Sequence, residues 1–357
     1  MIITILAVVF VLSVLVFAHE LGHFLAARSV GVRVDRFYIG FNLFGLGIKK
    51  KIGHTEYGLG LFPLGGYVKM AGMIDETMDT NIKGEPWEFQ SKSSLEKIWV
   101  MSAGVLANMV LAIVVFTGLT LGNGIAESDP AARVGSLVPD YPALAAGLKA
   151  GDVVTAINGK QVESWEAMTA LIHNLPDEEI EIVVDREGQT HNFIIKTKPT
   201  EALVGDEIKV VGMVGIGPVV NRRPAGLGEA IGVGFYQSWR WLALTYKSLK
   251  MIITGAASFR DIGGPIMIAQ MAGQSAQMGF SALLGLLAII SINFAFINIL
   301  PVPALDGGQI FVVLVEAVSR KPLSLRARMV IQQVGMLLLL TLMVAVVYND
   351  IMRIVTQ

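Results

Sequence analysis

The stretch Met1-Ile-Ile-Thr-Ile-Leu-Ala-Val-Val-Phe-Val-Leu-Ser-Val-Leu-Val-Phe-Ala18-His19-Glu20-Leu21-Gly22-His23 decides how this chain is read. Residues 1–18 carry no charged side chain. A run of that length and polarity is expected to cross a bilayer as a helix. His19, Glu20 and His23 follow at once, as His-Glu-x-x-His. Ionisable groups at membrane depth are costly and mark a functional site by default. On a helix, residues four apart share a face, so both imidazoles can reach one ion. Glu20 is rotated by about 100° from His19, close to the ion but not required as a ligand. It is placed to act as general base on a water activated by zinc.

Composition agrees. The chain has 357 residues, 53% hydrophobic and 16% charged, with a mean hydropathy of +0.61. This describes a polytopic membrane protein with room for one soluble domain. A net charge of -1 argues against nucleic acid as a partner. Cysteine is absent, so any zinc must be held by histidine and carboxylate. The first apolar segment resembles a signal sequence but has no basic leader and runs into the metal motif. It is therefore expected to be a retained helix.

The fold expected is an α-helical membrane protein of about four transmembrane helices, with a membrane-associated β-hairpin and one inserted α+β domain. Residues 1–121 form an N-terminal membrane part, with spans at 2–27 and 98–121. The polar, charge-bearing part runs from 122 to about 224 and should be the soluble domain, with its folded insert at 126–200 and a linker with an interfacial helix at 201–276. Residues 277–357 form the C-terminal membrane part, with spans at 280–300 and 329–348. Residues 227–254 interleave Phe235, Tyr236, Trp239, Trp241 and Tyr246 with Glu229, Arg240, Lys247 and Lys250. That mixture suits an amphipathic helix lying on the membrane. Arg28, Arg33, Arg36 and Lys49-Lys50-Lys51 follow the first span, and Arg320, Lys321, Arg326 and Arg328 follow the third. Both metal-bearing ends are thus expected at the cytoplasmic side and the insert on the other.

A catalytic zinc usually has three protein ligands. The best candidate for the third is Asp306, in Asn298-Ile-Leu-Pro-Val-Pro-Ala-Leu-Asp-Gly-Gly308. Pro301 and Pro303 break the third span, and irregular backbone at that depth is tolerated only around a cavity or in protein. Gly307 and Gly308 would allow close backbone approach at the metal. The plainer reading is a turn at a helix end, where Pro, Asp and Gly are common.

With these residues in view, the chain resembles the site-2 protease family of zinc intramembrane metalloproteases. It is most similar to the bacterial regulator-of-sigma-E protease branch. His19 to His23, Asn298 to Gly307, Phe62-Pro-Leu-Gly-Gly-Tyr-Val-Lys-Met70 and Gly104-x-x-x-Asn108 carry the resemblance. It implies His19, His23 and Asp306 as Zn2+ ligands, Glu20 as general base, and Asn298 and Asn293 as contacts to the substrate backbone. It further implies a bacterial inner-membrane location, with an anti-sigma factor and remnant signal peptides as substrates. Two features depart from the family pattern: Val105 stands where proline is common after the glycine, and the insert has room for one PDZ domain, not two.

A helical peptide bond is a poor substrate, because its carbonyl is hydrogen-bonded and its backbone covered. Residues 51–70, with a Gly53-His54 turn and Gly65-Gly66, read as a β-hairpin dipping into the membrane. Its edge could take the substrate as an added strand; the alternative is an ordinary cytoplasmic hairpin. Residues 126–200 look like a circularly permuted PDZ domain, with 164–175 the groove helix and 134–138 the facing strand. Such a unit either binds a peptide terminus or excludes bulky substrates. Asn108 either packs helices, beside Ala103, Gly104 and Ala107, or contacts substrate. The activity expected is therefore zinc-dependent hydrolysis within the membrane segment of single-span proteins. A non-enzymatic PDZ scaffold and a metal transporter are the rivals; the uncharged first eighteen residues speak against the transporter.

Overall fold

A computed structural model describes residues 1–41, 47–60, 62–73, 82–204, 207–258 and 263–356. The chain forms two compact units, residues 1–120 with 227–357, and residues 121–226. Four helices are long and apolar enough to cross a membrane, all with most of their length in the first unit.

Helix α1 (Ile2–Ser29) is the first of these. Strands β1 (Val34–Phe41), β2 (Gly47–Ile52), β3 (Thr55–Gly60) and β4 (Phe62–Met70) follow. They form one sheet in the order β2-β3-β1-β4. The hairpin expected at 51–70 is thus half of a larger structure, and residue 61 of its apolar run lies outside the described residues. β2 and β3 do form a hairpin around Gly53, but β1 intervenes between β3 and β4. The reason is in the side chains. Val34, Phe37, Val68 and Met70 bury themselves against Phe24, Ala27, Val100 and Met101 from the helices. β1 supplies half of that face, so β4 pairs with it and not with β3.

Helix α2 (Ser94–Asn123) is the second helix long and apolar enough to span. It opens on a capping box: the Ser93 N–H donates to Glu96 Oε2 at 2.8 Å, and the Glu96 N–H donates to Ser93 Oγ at 3.4 Å.

The second unit contains β5 (Ile125–Ser128), β6 (Val134–Leu137), α3 (Pro142–Ala145), β7 (Val153–Ile157), β8 (Lys160–Gln161), α4 (Trp165–His173), β9 (Glu179–Arg186), β10 (Gln189–Lys196), β11 (Lys198–Val204), β12 (Glu207–Met213), β13 (Ile216–Pro218) and β14 (Val220–Arg223). Its core gathers Val134, Leu148, Val154, Ile157, Met168, Ile172, Ile180, Ile182, Val184 and Ile195. The unit spans 121–226, close to the polar part expected at 122–224, and β13 and β14 close it by returning to pair with β6 and β5. Ser164 caps α4, its Oγ accepting the Ala167 N–H at 3.2 Å. The strand beside α4 is β12. Lys209, Val210 and Val211 line a groove of about 780 Å³ with Trp165, Thr169 and His173. Residues 134–138 were expected in that place; β6 is instead paired with β13.

Helix α5 (Leu227–Ile253) belongs to the first unit and is not one of the four span candidates. The sequence reading lays it on the membrane surface. Trp241 and Leu242 pack on Ala112 of α2 and on Ala288 and Ile292 of α7 (Phe280–Asn298). Phe235, Tyr236, Trp239 and Tyr246 are left exposed on its outer face. Between α5 and α7 lies α6 (Pro265–Met278), whose Ala272 packs with Ala7 and Val11 of α1 and Leu283 of α7.

After α7, the third helix long and apolar enough to span, the chain turns through Pro301 and Pro303 into α8 (Asp306–Ser319). The sequence reading did not place a helix there. α9 (Leu325–Thr356) is the fourth helix of such length and apolarity.

Candidate metal centre

His19 and His23 lie one turn apart on α1 and are both buried. Their rings meet edge to face, with centroids 4.7 Å apart. Phe294 of α7 packs edge-on against His19 at 5.1 Å. The two Nε2 atoms are 3.2 Å apart. Asp306, the first residue of α8, brings its Oδ2 to 3.3 Å from each of them. Among the described residues these three make up the cluster able to hold a metal.

The triangle fits zinc. A tetrahedral zinc with bonds of about 2.0–2.1 Å holds its ligands about 3.3–3.4 Å apart. The three atoms are already at 3.2–3.3 Å. Asp306 Oδ2 is buried and receives no hydrogen bond among the described residues. A buried carboxylate oxygen facing two imidazole nitrogens without a hydrogen bond is costly unless a cation completes it.

Helix packing explains the convergence. A Cβ at Gly104 would collide with His23 Nε2 and the His19 ring, so only glycine lets α2 lie directly on the motif. Asn298 ends α7, and the Pro301–Pro303 turn folds back under α8. Gly307 and Gly308 serve that turn, not the metal: side chains there would strike the carbonyls of Ile299, Leu300 and Val302.

A cavity of about 660 Å³ opens on the triangle. Glu20 lines it, together with Asn298, Gly66, Phe294, Gln309 and Gln332. β4 forms one wall and has no strand partner beyond β1 among the described residues. Gly66 lets β4 lie on α1, since a side chain there would strike the Tyr38 carbonyl and approach Val16 and Glu20.

The expected site residues therefore sort by position. His19, Glu20, His23, Asp306, Asn298 and Gly66 share the cavity. Gly65 precedes that wall, with φ of +121°, and is not part of the lining. Asn293 faces away, its Oδ1 accepting the Thr245 hydroxyl of α5 at 2.6 Å. Asn108 is fully buried against His19, with its amide 3.3 Å from His19 Nδ1, and is not on the cavity wall. The sequence reading missed Gln309 and Gln332, whose amides bond across α8 and α9 at 3.0 Å. A glutamine inside the apolar run 329–348 was the available signal.

Such a site has two imidazoles and one carboxylate around a face open to a cavity, with a second carboxylate beside it. That is the three-ligand form of catalytic zinc, plus a base.

Comparison with known proteins agrees with this chemistry. The family model described as Peptidase family M50 matches residues 7–342. Three bacterial relatives bear the name "Putative zinc metalloprotease". The one from Clostridium perfringens is 35% identical, over 95% of this chain and 96% of its own length. That from Nostoc sp. is 36% identical, over 99% and 97%. That from Campylobacter jejuni is 33% identical, over 99% and 94%.

Proposed function

The chain belongs to peptidase family M50 and is a metalloprotease, and from that premise we propose that it is a zinc-dependent endopeptidase cutting single-span membrane proteins inside their membrane segment. The carrying observation is the triangle of His19, His23 and Asp306, preset to zinc dimensions among helices apolar enough to cross a membrane. When bound, zinc would supply Lewis-acid polarisation of the scissile carbonyl and activation of water. His19, His23 and Asp306 are the residues that would hold it.

This chain's own groups do the rest. Glu20 accepts a proton from the water as its oxygen bonds to the carbonyl carbon, then delivers that proton to the amide nitrogen, so that the C–N bond breaks and the amine leaves. Asn298, buried at the cavity wall, hydrogen-bonds the substrate backbone. The open edge of β4 takes the unwound substrate as an added strand, holding the scissile bond extended beside Glu20.

The substrates would be an anti-sigma factor already trimmed by another protease, and remnant signal peptides, in a bacterial inner membrane. The active site would lie toward the cytoplasm and the inserted unit outside. The groove between α4 and β12 suits an extended peptide, which supports a binding role for the insert.

Co-expression of a single-span reporter with a short ectodomain tests the reading. Cleavage by the wild type and none by Glu20→Gln, at matched protein levels, is the expected result. Equal reporter integrity in both, across several spans, would favour a non-enzymatic scaffold.

A further inference from the structure

Helix α2 meets the metal centre along one face. Val100, Gly104 and Asn108 succeed one another at intervals of four, and Gly104 sits directly against the two histidine rings. On one side of it, the Val100 carbonyl accepts the His23 Nδ1–H at 2.8 Å. That bond puts the proton on Nδ1 and leaves the His23 Nε2 lone pair free for an ion. Such outer partners fix the tautomer of ligating histidines and raise their basicity.

Among the described residues, His19 has no such carbonyl. What faces its Nδ1 is the side-chain amide of Asn108, at 3.3 Å. With the nitrogen of the amide turned to the ring, Nδ2 would donate to Nδ1, forcing the proton onto His19 Nε2. A protonated Nε2 cannot ligate, yet Nε2 is the atom aimed at His23 and Asp306. In that orientation Asn108 Oδ1 also stays buried with no partner. Amide nitrogen and oxygen are interchangeable by rotation, and the hydrogen-bond network decides between them. Rotation puts Oδ1 against His19 Nδ1, and the tautomer becomes the ligating one.

We propose that Asn108 is a positioning residue for the metal centre: its Oδ1 accepts the His19 Nδ1–H and holds His19 in the zinc-ligating tautomer, as the Val100 carbonyl does for His23. The role is distinct from both helix packing and substrate contact. Asn108 is fully buried and absent from the cavity wall, so it reaches substrate only through His19. Its own position is fixed by α7, where the Ser291 hydroxyl donates to the Asn108 carbonyl at 2.9 Å. The inference rests on the proposed zinc site.

The test is zinc affinity, measured on the purified full chain by competition with a chromogenic chelator, beside thermal unfolding with and without excess chelator. Asn108→Leu keeps the volume but removes the acceptor; zinc affinity should fall about 10- to 100-fold, with chelator-treated unfolding unchanged. Asn108→Asp accepts but cannot donate; zinc affinity should stay within about threefold of wild type or rise. Wild-type affinity in Asn108→Leu would overturn the proposal. So would loss of zinc in Asn108→Asp, since that is the result expected if the amide must donate, and this arm decides the matter even where Asn108→Leu fails to fold. A His19→Ala control separates the two readings. If it binds zinc as the wild type does, the metal centre itself is misassigned. If it loses zinc while both Asn108 variants retain it, only the role of Asn108 fails.

Discussion

Asp152 in the inserted unit and Asp306 in the other behave in opposite ways. Asp152 in the inserted unit is 1% exposed, and every direction around its carboxylate is answered. Arg186 donates to both oxygens at 2.7 and 2.8 Å, and the Lys149 N–H adds a third bond at 2.8 Å. These bonds, the guanidinium of Arg186 first, hold the Asp152 carboxyl below the usual carboxylate range. Asp306 in the first unit points its Oδ2 at two imidazole nitrogens, and that oxygen has no hydrogen bond among the described residues. The first carboxylate is finished by the fold. The second is left for something the fold does not contain. A buried polar group that is fully paired holds structure together, whereas one left open among other ligand atoms marks where a cation binds.

The contrast can be broken most sharply at the catalytic carboxylate. Glu20→Gln should lower cleavage by about 10²- to 10⁴-fold, the span general bases contribute, while zinc content measured by atomic spectroscopy stays at wild-type level. Asp306→Ala should do the reverse of a structural lesion: zinc is lost, and the inserted unit resists limited proteolysis as before. Asp152→Asn should retain zinc and cleavage by the membrane unit, but destabilise the insert by on the order of 2 kcal/mol, because an Arg186 pair is lost.

The last effect has a pH signature. Asp152 has a lowered pKa when folded, so its stabilisation is complete above the unfolded value of about 3.9 and is lost as pH falls through the folded value. The gap in unfolding temperature between wild type and Asp152→Asn should therefore be wide at neutral pH and close below about pH 4. A gap independent of pH would mean that the charge is not what stabilises the insert.

Proline placed in turn at Gly66, Tyr67 and Val68 examines the open edge of β4. Cleavage should fall about tenfold at positions whose N–H points outward, with zinc retained. Equal activity at all three would remove strand addition from the account. The smallest effect expected is that of Thr245→Val. It removes the hydrogen bond to Asn293, costing about 1 kcal/mol and leaving cleavage within about twofold of wild type, because that pair joins α5 to α7 and does not face the metal.

What could be read in the sequence was whatever is local. His19, Glu20 and His23 sit within five residues, and the charge-free run before them needs no partner to be recognised. Asp306 was reached by its prolines and glycines, which are turn signals in their own right. What escaped depends on pieces far apart in the chain. β1 and β4 pair across the whole hairpin region, with Phe37 opposite Val68. β13 and β14 return more than eighty residues to meet β6 and β5. Asn108 could be taken for a substrate contact because nothing in its neighbourhood says that α2 docks on His19. Gly104 was the nearest hint, and its meaning appears only when the histidine rings are seen against it. The resemblance implied both Asn293 and Asn298 as substrate contacts, but residues five apart diverge around a helix, and Asn298 alone of the two lines the cavity.

The most direct measurement is the mass of the products formed by the purified chain, reconstituted in vesicles with a single-span substrate. The prediction is a pair of new termini inside the apolar segment, formed only when about one zinc is bound per chain, and abolished by chelation and by Glu20→Gln. Termini confined to the flanking loops, or the same products from zinc-free protein, would contradict it.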